Sequence, residues 1–505
     1  MAVNQLKAGA LLNYIVILLN LVVGLLYTPF MLRMMGQSEY GLYSLVASII
    51  SYLTVLDLGI GNAVIRYTAK YRAEGKQKEQ YEMFGMFLII HFIIGMISLV
   101  IGLVVYFNIE KLFGDTMTIV ELNHARIMML IMIFNLVFTF PMSVFGSIIT
   151  AYEHFIFPKV VNITRTVLNT AIMIVLLTMG YKAIAMVVLM TIFNVISLTL
   201  NYIYCKQKLH IKILFGHFEW DFIKEVAIYS FWILLSVLMD RIYWSTGQFV
   251  LGAVSGTIAV SIFAVAIQLE GMYMMFSSAI VSVFLPKVTG MVAKGNNTRE
   301  ISDLFIRTGR IQSIIMSIVL FGFIVFGQQF VVLWAGEDYS DAYIMAVIIF
   351  VALYIPVIQN LAITILQARN QMKFRSLLYI TIALLALIAE FLLAKRYGGI
   401  GCAIAISGAL ILGQGIIMNI YYKHKQSLDV LSFWGQILKM NVIPILISAF
   451  FFYLTRYVYE IDSWNKLFVG VLSYTFVYIP LCFKFCMNYY ERNLILKPII
   501  SRFSK

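Results

Sequence analysis

Charge is scarce in this chain, and acid is scarcer than base: 12% of 505 residues are charged, with 24 Asp and Glu against 37 Lys and Arg. What fills the space instead is a hydrophobic fraction of 62% and a mean hydropathy of +0.91, more apolar surface than a soluble core can hide. A water-soluble globular class is excluded, and lipid is the solvent. Cysteine is equally sparse. Cys205, Cys402, Cys482 and Cys486 form no CxxC pair and have no His at metal-ligand spacing, which excludes zinc ribbons and dithiol redox motifs. Four inert thiols are expected, with no metal and no cofactor.

Two further absences narrow the class. No GxxxxGK[ST] sequence is present, which argues against ATP hydrolysis by this chain. No loop between apolar runs exceeds about 25 residues, and the outward ones are shortest, so no extramembrane domain is expected. A membrane glycosyltransferase, polymerase or ligase usually needs a sizeable outward loop bearing catalytic acid or base. The chain therefore reads as a non-enzyme. Its first apolar run lacks a short core ending at a small-residue cleavage site, and is read as a retained helix rather than a signal peptide.

What is present is a succession of fourteen apolar stretches, each near the roughly 20 residues that a helix needs to cross hydrocarbon. They fall at 9-32, 40-66, 82-107, 120-151, 159-179, 183-204, 229-251, 258-285, 309-328, 341-367, 376-395, 401-421, 435-455 and 465-487. With the N-terminus inside, 25 of the 37 basic residues fall in the inner connections and termini, and only seven (Arg33, Lys111, Lys182, Lys395, Arg396, Arg456 and Lys466) fall outside. This bias predicts that both termini are cytoplasmic. It also accounts for the net charge of +13 without a nucleic-acid partner.

A weak internal repeat organises the spans. Ile17-Leu18-Leu19-Asn20 falls on Ile233-Leu234-Leu235-Ser236, Tyr27 on Tyr243, and after four residues of extra loop Leu42-Tyr43 on Ile262-Phe263. Span 1 is thereby placed on span 7 and span 2 on span 8. Six is even, so the two halves run the same way through the membrane, related by an axis along its normal. The expected architecture is an all-α polytopic membrane protein. It has a six-helix lobe over 1-204, a cytoplasmic linker over 205-228 and a second six-helix lobe over 229-421. Two extra helices and a tail occupy 422-505.

The informative residues are polar groups at membrane depth, because each costs about 3 kcal/mol on insertion scales unless it lines water or finds a partner. Asn20, His91, Asp240, Arg241 and Glu270 lie near the midplane, Asp57 in the inner half of span 2, and Arg165 toward the inner end of span 5. Asp240 and Arg241 project about 100° apart on a helix and cannot face each other, so Arg241 with Glu270 is the preferred pair. For His91 alone, locking two helices together is the simpler role. Arg241, Trp244 and Gln248 share one stripe, offering a guanidinium for phosphate and an aromatic face for sugar, although packing alone produces such spacing. Span 2 ends Asp57-Leu58-Gly59-Ile60-Gly61-Asn62, with glycines that permit a bend, and Asp57 and Arg66 set opposite charges at the inner mouth. Pro29, Pro141 and Pro356 can kink spans 1, 4 and 10.

These tracts carry a resemblance. The run from Met35-Gly36 through Tyr40-Gly41-Leu42-Tyr43, the Asp57-Leu58-Gly59-Ile60-Gly61 tract, the Gln248-Phe249-Val250-Leu251-Gly252 helix end and the fourteen-span layout resemble bacterial polysaccharide-biosynthesis flippases. These are the O-antigen and capsule repeat-unit flippases of the multidrug/oligosaccharidyl-lipid/polysaccharide exporter superfamily. The resemblance implies two lobes around a cationic cavity. It also implies movement of an undecaprenyl-diphosphate-linked oligosaccharide from the inner to the outer leaflet of the bacterial plasma (inner) membrane, alongside polymerase and other assembly partners. On that reading Arg241, Arg66, Trp244, Gln248 and Asn20 bind substrate, while Asp57, Asp240 or Glu270 couple an ion. The chain departs from the pattern at Gly247, where relatives are expected to carry an acid. The main rival is a cation-coupled multidrug antiporter of the same superfamily, for which a more acidic or aromatic cavity is expected in place of a central Arg.

Overall fold

The computed structural model describes residues 5-57, 59-216, 220-281, 290-291, 298-369, 371-494 and 496. Every regular element among them is helical. Twelve described helices are long and apolar enough to span a bilayer. One of these, the 52-residue run Lys373–His424, contains two of the expected spans, turning at Gly398 with φ 55° and ψ −136°. Side chains such as Leu26, Phe107 and Phe476 stand 72%, 75% and 81% exposed on these helices. That is untenable in water and ordinary against lipid.

Contacts divide the chain into two compact units, Met1–Ala264 and Val265–Lys505. The first holds α1 (Gln5–Met35), α2 (Gln37–Leu53), α3 (Ile60–Ala73), α4 (Gln77–Phe107), α5 (Ile109–Phe113), α6 (Ile119–Ala151), α7 (Ile156–Thr178), α8 (Ala183–Gln207) and α9 (Trp220–Val254). α10 (Gly256–Val281) begins in this unit and continues into the second. The expected second span is broken: α2 tightens into a 3₁₀ turn at Thr54–Asp57, and Gly59 turns left-handed (φ 63°, ψ 23°) before α3 restarts. A β-carbon makes that conformation costly, which is why glycine stands there. α4 and α6 pack on α3 through Ile60, Val64, Tyr67, Phe84, Phe87, Phe140 and Val144, all buried. α6 starts on a capping box in which Thr118 Oγ1 receives the Glu121 amide and the Glu121 carboxylate receives the Thr118 amide.

The second unit is built on α11 (Thr298–Ala335), which packs on α12 (Ala342–Ile358), α16 (Val430–Tyr457) and α17 (Trp464–Phe485). The intervening elements are α13 (Asn360–Ala368), α14 (Lys373–Leu410), a π-helix (Ile411–Ile417) and α15 (Met418–His424). Hydroxyl pairs stitch α11 to its neighbours: Ser313 to Tyr354 at 2.6 Å and Ser317 to Tyr478 at 2.8 Å. At the end of α17 Arg310 forms a buried bidentate pair with Glu491 (2.6 and 2.9 Å) and also donates to the Cys486 carbonyl at 2.9 Å. The last two helices, expected to stand outside the repeat, are thus bonded into the body of the unit. All four cysteines are free and buried.

Candidate functional site

α9 carries the predicted stripe. Arg241, Trp244 and Gln248 are all half-buried, as one face partly open to its surroundings requires, and Asp240 next to them is exposed. Among the described residues the Arg241 Nε is buried and has no hydrogen-bond partner. The neighbouring face of α9 is closed against α2. Ser51 Oγ donates to Ser245 Oγ at 2.9 Å, and Tyr52 pairs with Thr246. Gly247 sits beneath the Phe263 ring, where a β-carbon would overlap the aromatic carbons. The departure from the family pattern at this position has a packing reason.

Glu121, which sequence reasoning did not single out, fastens the same seam at one end. Its Oε1 accepts from Ser38 at 2.6 Å and from Thr257 at 2.7 Å, while Oε2 is held by Thr118. One carboxylate thereby ties the starts of α2, α6 and α10. Next to it the His124 Nδ1 lies 3.0 Å from the Glu39 carboxylate, Thr116 donates to the Gly252 carbonyl at 2.6 Å, and Phe113 meets Phe249 edge-on. A β-carbon on Gly41 would overlap the Thr257 carbonyl, so the small residue sets how closely α2 approaches α10. At the opposite end of α9, Tyr67 donates to Glu225 at 2.8 Å.

Asp57 lies in the 3₁₀ turn that interrupts span 2, half-buried, with Oδ1 3.4 Å from the Nε2 of His91. His91 is fully buried and its Nδ1 is 2.8 Å from the Phe87 carbonyl. The structure thus joins a predicted carboxylate to a histidine for which helix locking was the simpler of two readings. Arg66 is exposed on α3, with its guanidinium 5.6 Å from the Tyr67 ring, and Asn20 is exposed on α1. Glu270 lies on the part of α10 that belongs to the second unit, only 6% exposed.

Sequence reasoning also passed over Glu390 on α14, whose side chain is fully buried and whose two oxygens have no hydrogen-bond partner among the described residues. The signal was available: it is the only charge in the run from Ser376 to Ala394. Among the described residues no group of three or more His, Cys, Asp or Glu is arranged to hold a metal ion.

A helical body of lipid-exposed spans, with a half-buried cationic stripe on one helix and interrupted helices beside it, defines a multi-pass membrane protein of the transporter type. The chain belongs to the polysaccharide biosynthesis protein family, whose model matches residues 6–292. It is 20% identical over 411 residues to a Shigella flexneri protein provisionally named an O-antigen transporter, covering 78% of this chain and 92% of that protein. Its fold is shared with the lipid II flippase MurJ in an inward closed conformation, at a TM-score of 0.68 and 18% identity over 97% of this chain and 99% of that one. An inward-facing multidrug resistance transporter of the MATE family in the MOP superfamily has the same fold, at a TM-score of 0.62 and 16% identity over 80% and 98% of the two chains.

Proposed function

We propose that this protein flips undecaprenyl-diphosphate-linked oligosaccharide repeat units from the cytoplasmic to the outer leaflet of the bacterial plasma membrane, by alternating access, for surface polysaccharide assembly such as O-antigen or capsule. The observation that carries the reading is the match to the polysaccharide biosynthesis family over a region that includes the Arg241, Trp244 and Gln248 stripe. A lipid-linked sugar drags a hydrophilic head through hydrocarbon while its tail stays in lipid, so a groove with a cation for the diphosphate and an aromatic face for the sugar suits it. Arg241 and Arg66 take the diphosphate, Trp244, Gln248 and Asn20 the sugar, and Asp57, Asp240 or Glu270 exchange an ion to reset the empty carrier. Two six-helix lobes related by a parallel repeat, with both termini cytoplasmic, supply the two-sided cleft. Polymerase and other assembly proteins are its expected neighbours.

A diphosphate carries about two negative charges, and an interior-negative potential favours their exit by roughly 2.3 kcal/mol per charge per 100 mV. In liposomes holding a fluorescent undecaprenyl-diphosphate oligosaccharide, protein-dependent transfer between leaflets is expected to steepen with imposed potential. Arg241→Ala at equal protein level is expected to slow transfer about tenfold or more, the scale of a lost charge-assisted hydrogen bond. Undiminished transfer by that variant would remove Arg241 from the site. The fold shared with a multidrug transporter favours one second reading, cation antiport; uptake of organic cations with no lipid transfer would establish it instead.

A further inference from the structure

Away from α9, a hydrogen-bonded polar group with one charge in it links α6, α7 and α8 of the first unit, with α1 packed on α7. Arg165 is the tenth residue of the 23-residue α7, about 14 Å along a helix of 1.5 Å rise. Its Nη1 donates to Asn194 Oδ1 on α8 at 3.1 Å, and Asn194 Nδ2 in turn donates to Asn135 Oδ1 (2.8 Å) and Thr139 Oγ1 (2.7 Å) on α6. Asn169 lies one turn beyond Arg165 on the same face of α7, while Asn201, two turns beyond Asn194 on the antiparallel α8, lies on the other side of the Arg165–Asn194 pair. The Oδ1 of each is buried with no hydrogen-bond partner among the described residues. α1 runs parallel to α7: Gly9 lies against Phe155, and Lys159 Nζ donates to Asn13 Oδ1 at 2.7 Å. That constant offset sets the exposed Asn20 level with Thr166, beside Arg165.

Among the described residues no carboxylate pairs with this guanidinium. α1, α7 and α8 contain no Asp or Glu, and the single acid of α6, Glu121, is engaged by Ser38, Thr118 and Thr257 fourteen residues before Asn135. Fourteen residues of helix place it about 21 Å away. The amide bonds alone tie α8 to α6, and α7 joins them through Arg165. The guanidinium adds a cost of about 3 kcal/mol at membrane depth, which one neutral amide does not repay. Arg165 also retains donors in the planar fork that matches phosphate.

We propose that Arg165 is the centre of a second anion site, one that takes the phosphate end of a phosphorylated sugar. Phosphate oxygens accept from the Arg165 fork, and a sugar hydroxyl donates to the Asn169 amide oxygen one turn away. This inference rests on the flippase reading for its ligand class, a sugar diphosphate, and places a station for it on helices other than α9. The same chemistry comes from a lipid-linked headgroup or from a free sugar phosphate.

The test is equilibrium binding to the full-length protein in phosphocholine nanodiscs with two probes, undecaprenyl-diphosphate N-acetylglucosamine and soluble N-acetylglucosamine 1-phosphate. Saturable binding is expected to weaken about tenfold in Arg165→Gln and to recover to within about threefold in Arg165→Lys, since charge rather than helix contact is at stake. Binding of the lipid probe alone assigns the site to the membrane-borne headgroup; binding of both assigns it to the phosphorylated sugar itself. On the wild-type protein, saturating probe is also expected to protect Arg165 from phenylglyoxal, read by mass spectrometry, which keeps the test valid if a variant fails to fold. Equal affinity in Arg165→Gln, absent protection, or no saturable binding of either probe overturns the proposal. A wild type that binds through Arg165 yet transfers no lipid in liposomes overturns the flippase reading and leaves the anion site standing.

Discussion

His91 and Asp57 face each other at 3.4 Å within the first unit, one on a continuous helix and the other on an interrupted one. α6, which packs on α4, has no titratable residue between Arg126 and its end, and on α4 the nearest are Glu82 and Tyr106, while the 3₁₀ turn that holds Asp57 also packs on α9, the helix of Asp240 and Arg241. If Asp57 couples an ion, Asp57→Asn is expected to abolish acceleration of lipid transfer by an imposed proton or sodium gradient while leaving the potential-driven component. His91→Phe, which fills the same space, is expected to do the same; an intact gradient response in both would take the pair out of coupling. Charged residues such as Asp57 and Arg241 were legible in the sequence because a charge in an apolar run has few explanations. Asn135, Asn194 and Glu121 were not. Asparagines are common in spans, and a glutamate three residues after a threonine reads first as a helix cap, which it also is. Partnership across 34 residues, as between Asp57 and His91, is set by how helices lean on one another and has no signature along the chain.

Interrupted helices recur as elements. The glycines after Asp57 foretold the break in span 2, and Pro356 foretold trouble in span 10, where α12 stops at Ile358 and α13 restarts at Asn360. The π-helix at Ile411–Ile417 gave no such warning, since an added residue per turn leaves the apolar pattern nearly unchanged. The two breaks in the second unit are joined. Gln359 and Asn419 exchange amide hydrogen bonds at 2.7 and 3.2 Å. The Trp434 indole donates to Asn419 at 2.9 Å, and Asn419 donates to the loosened Gln414 and Gly415 carbonyls. Gln359→Leu strands a buried amide and is expected to lower stability by about 1–3 kcal/mol, seen as a lower thermal midpoint in detergent. The double variant with Asn419→Leu is expected to lose less than the sum of the two single changes, because the pair is one interaction.

Over the whole molecule, the all-helical, multi-pass membrane character was visible from sequence because long apolar runs are written in composition. The docking of the last two helices was not. Arg310 is 8% exposed and paired to Glu491, 3% exposed. Breaking a buried pair from one side costs about 3–5 kcal/mol, so Glu491→Gln is expected to lower the thermal midpoint well beyond an exposed control such as Asp462→Asn, whose partner Lys466 is in water. An equal effect of the two would leave the Arg310 clamp without structural weight.

The seam between α2 and α9 has a consequence for the living cell. Away from the Glu121 end it is fastened by neutral hydroxyls, Ser51 to Ser245 and Tyr52 to Thr246, each contributing only about 1 kcal/mol net. That holding strength is of the same order as the roughly 4.6 kcal/mol that 100 mV exerts on a doubly charged headgroup. On the proposed substrate, an energised membrane supplies enough work to part such a seam and a depolarised one does not. Coat building would then cease in a cell that has lost its membrane voltage, with no separate sensor required.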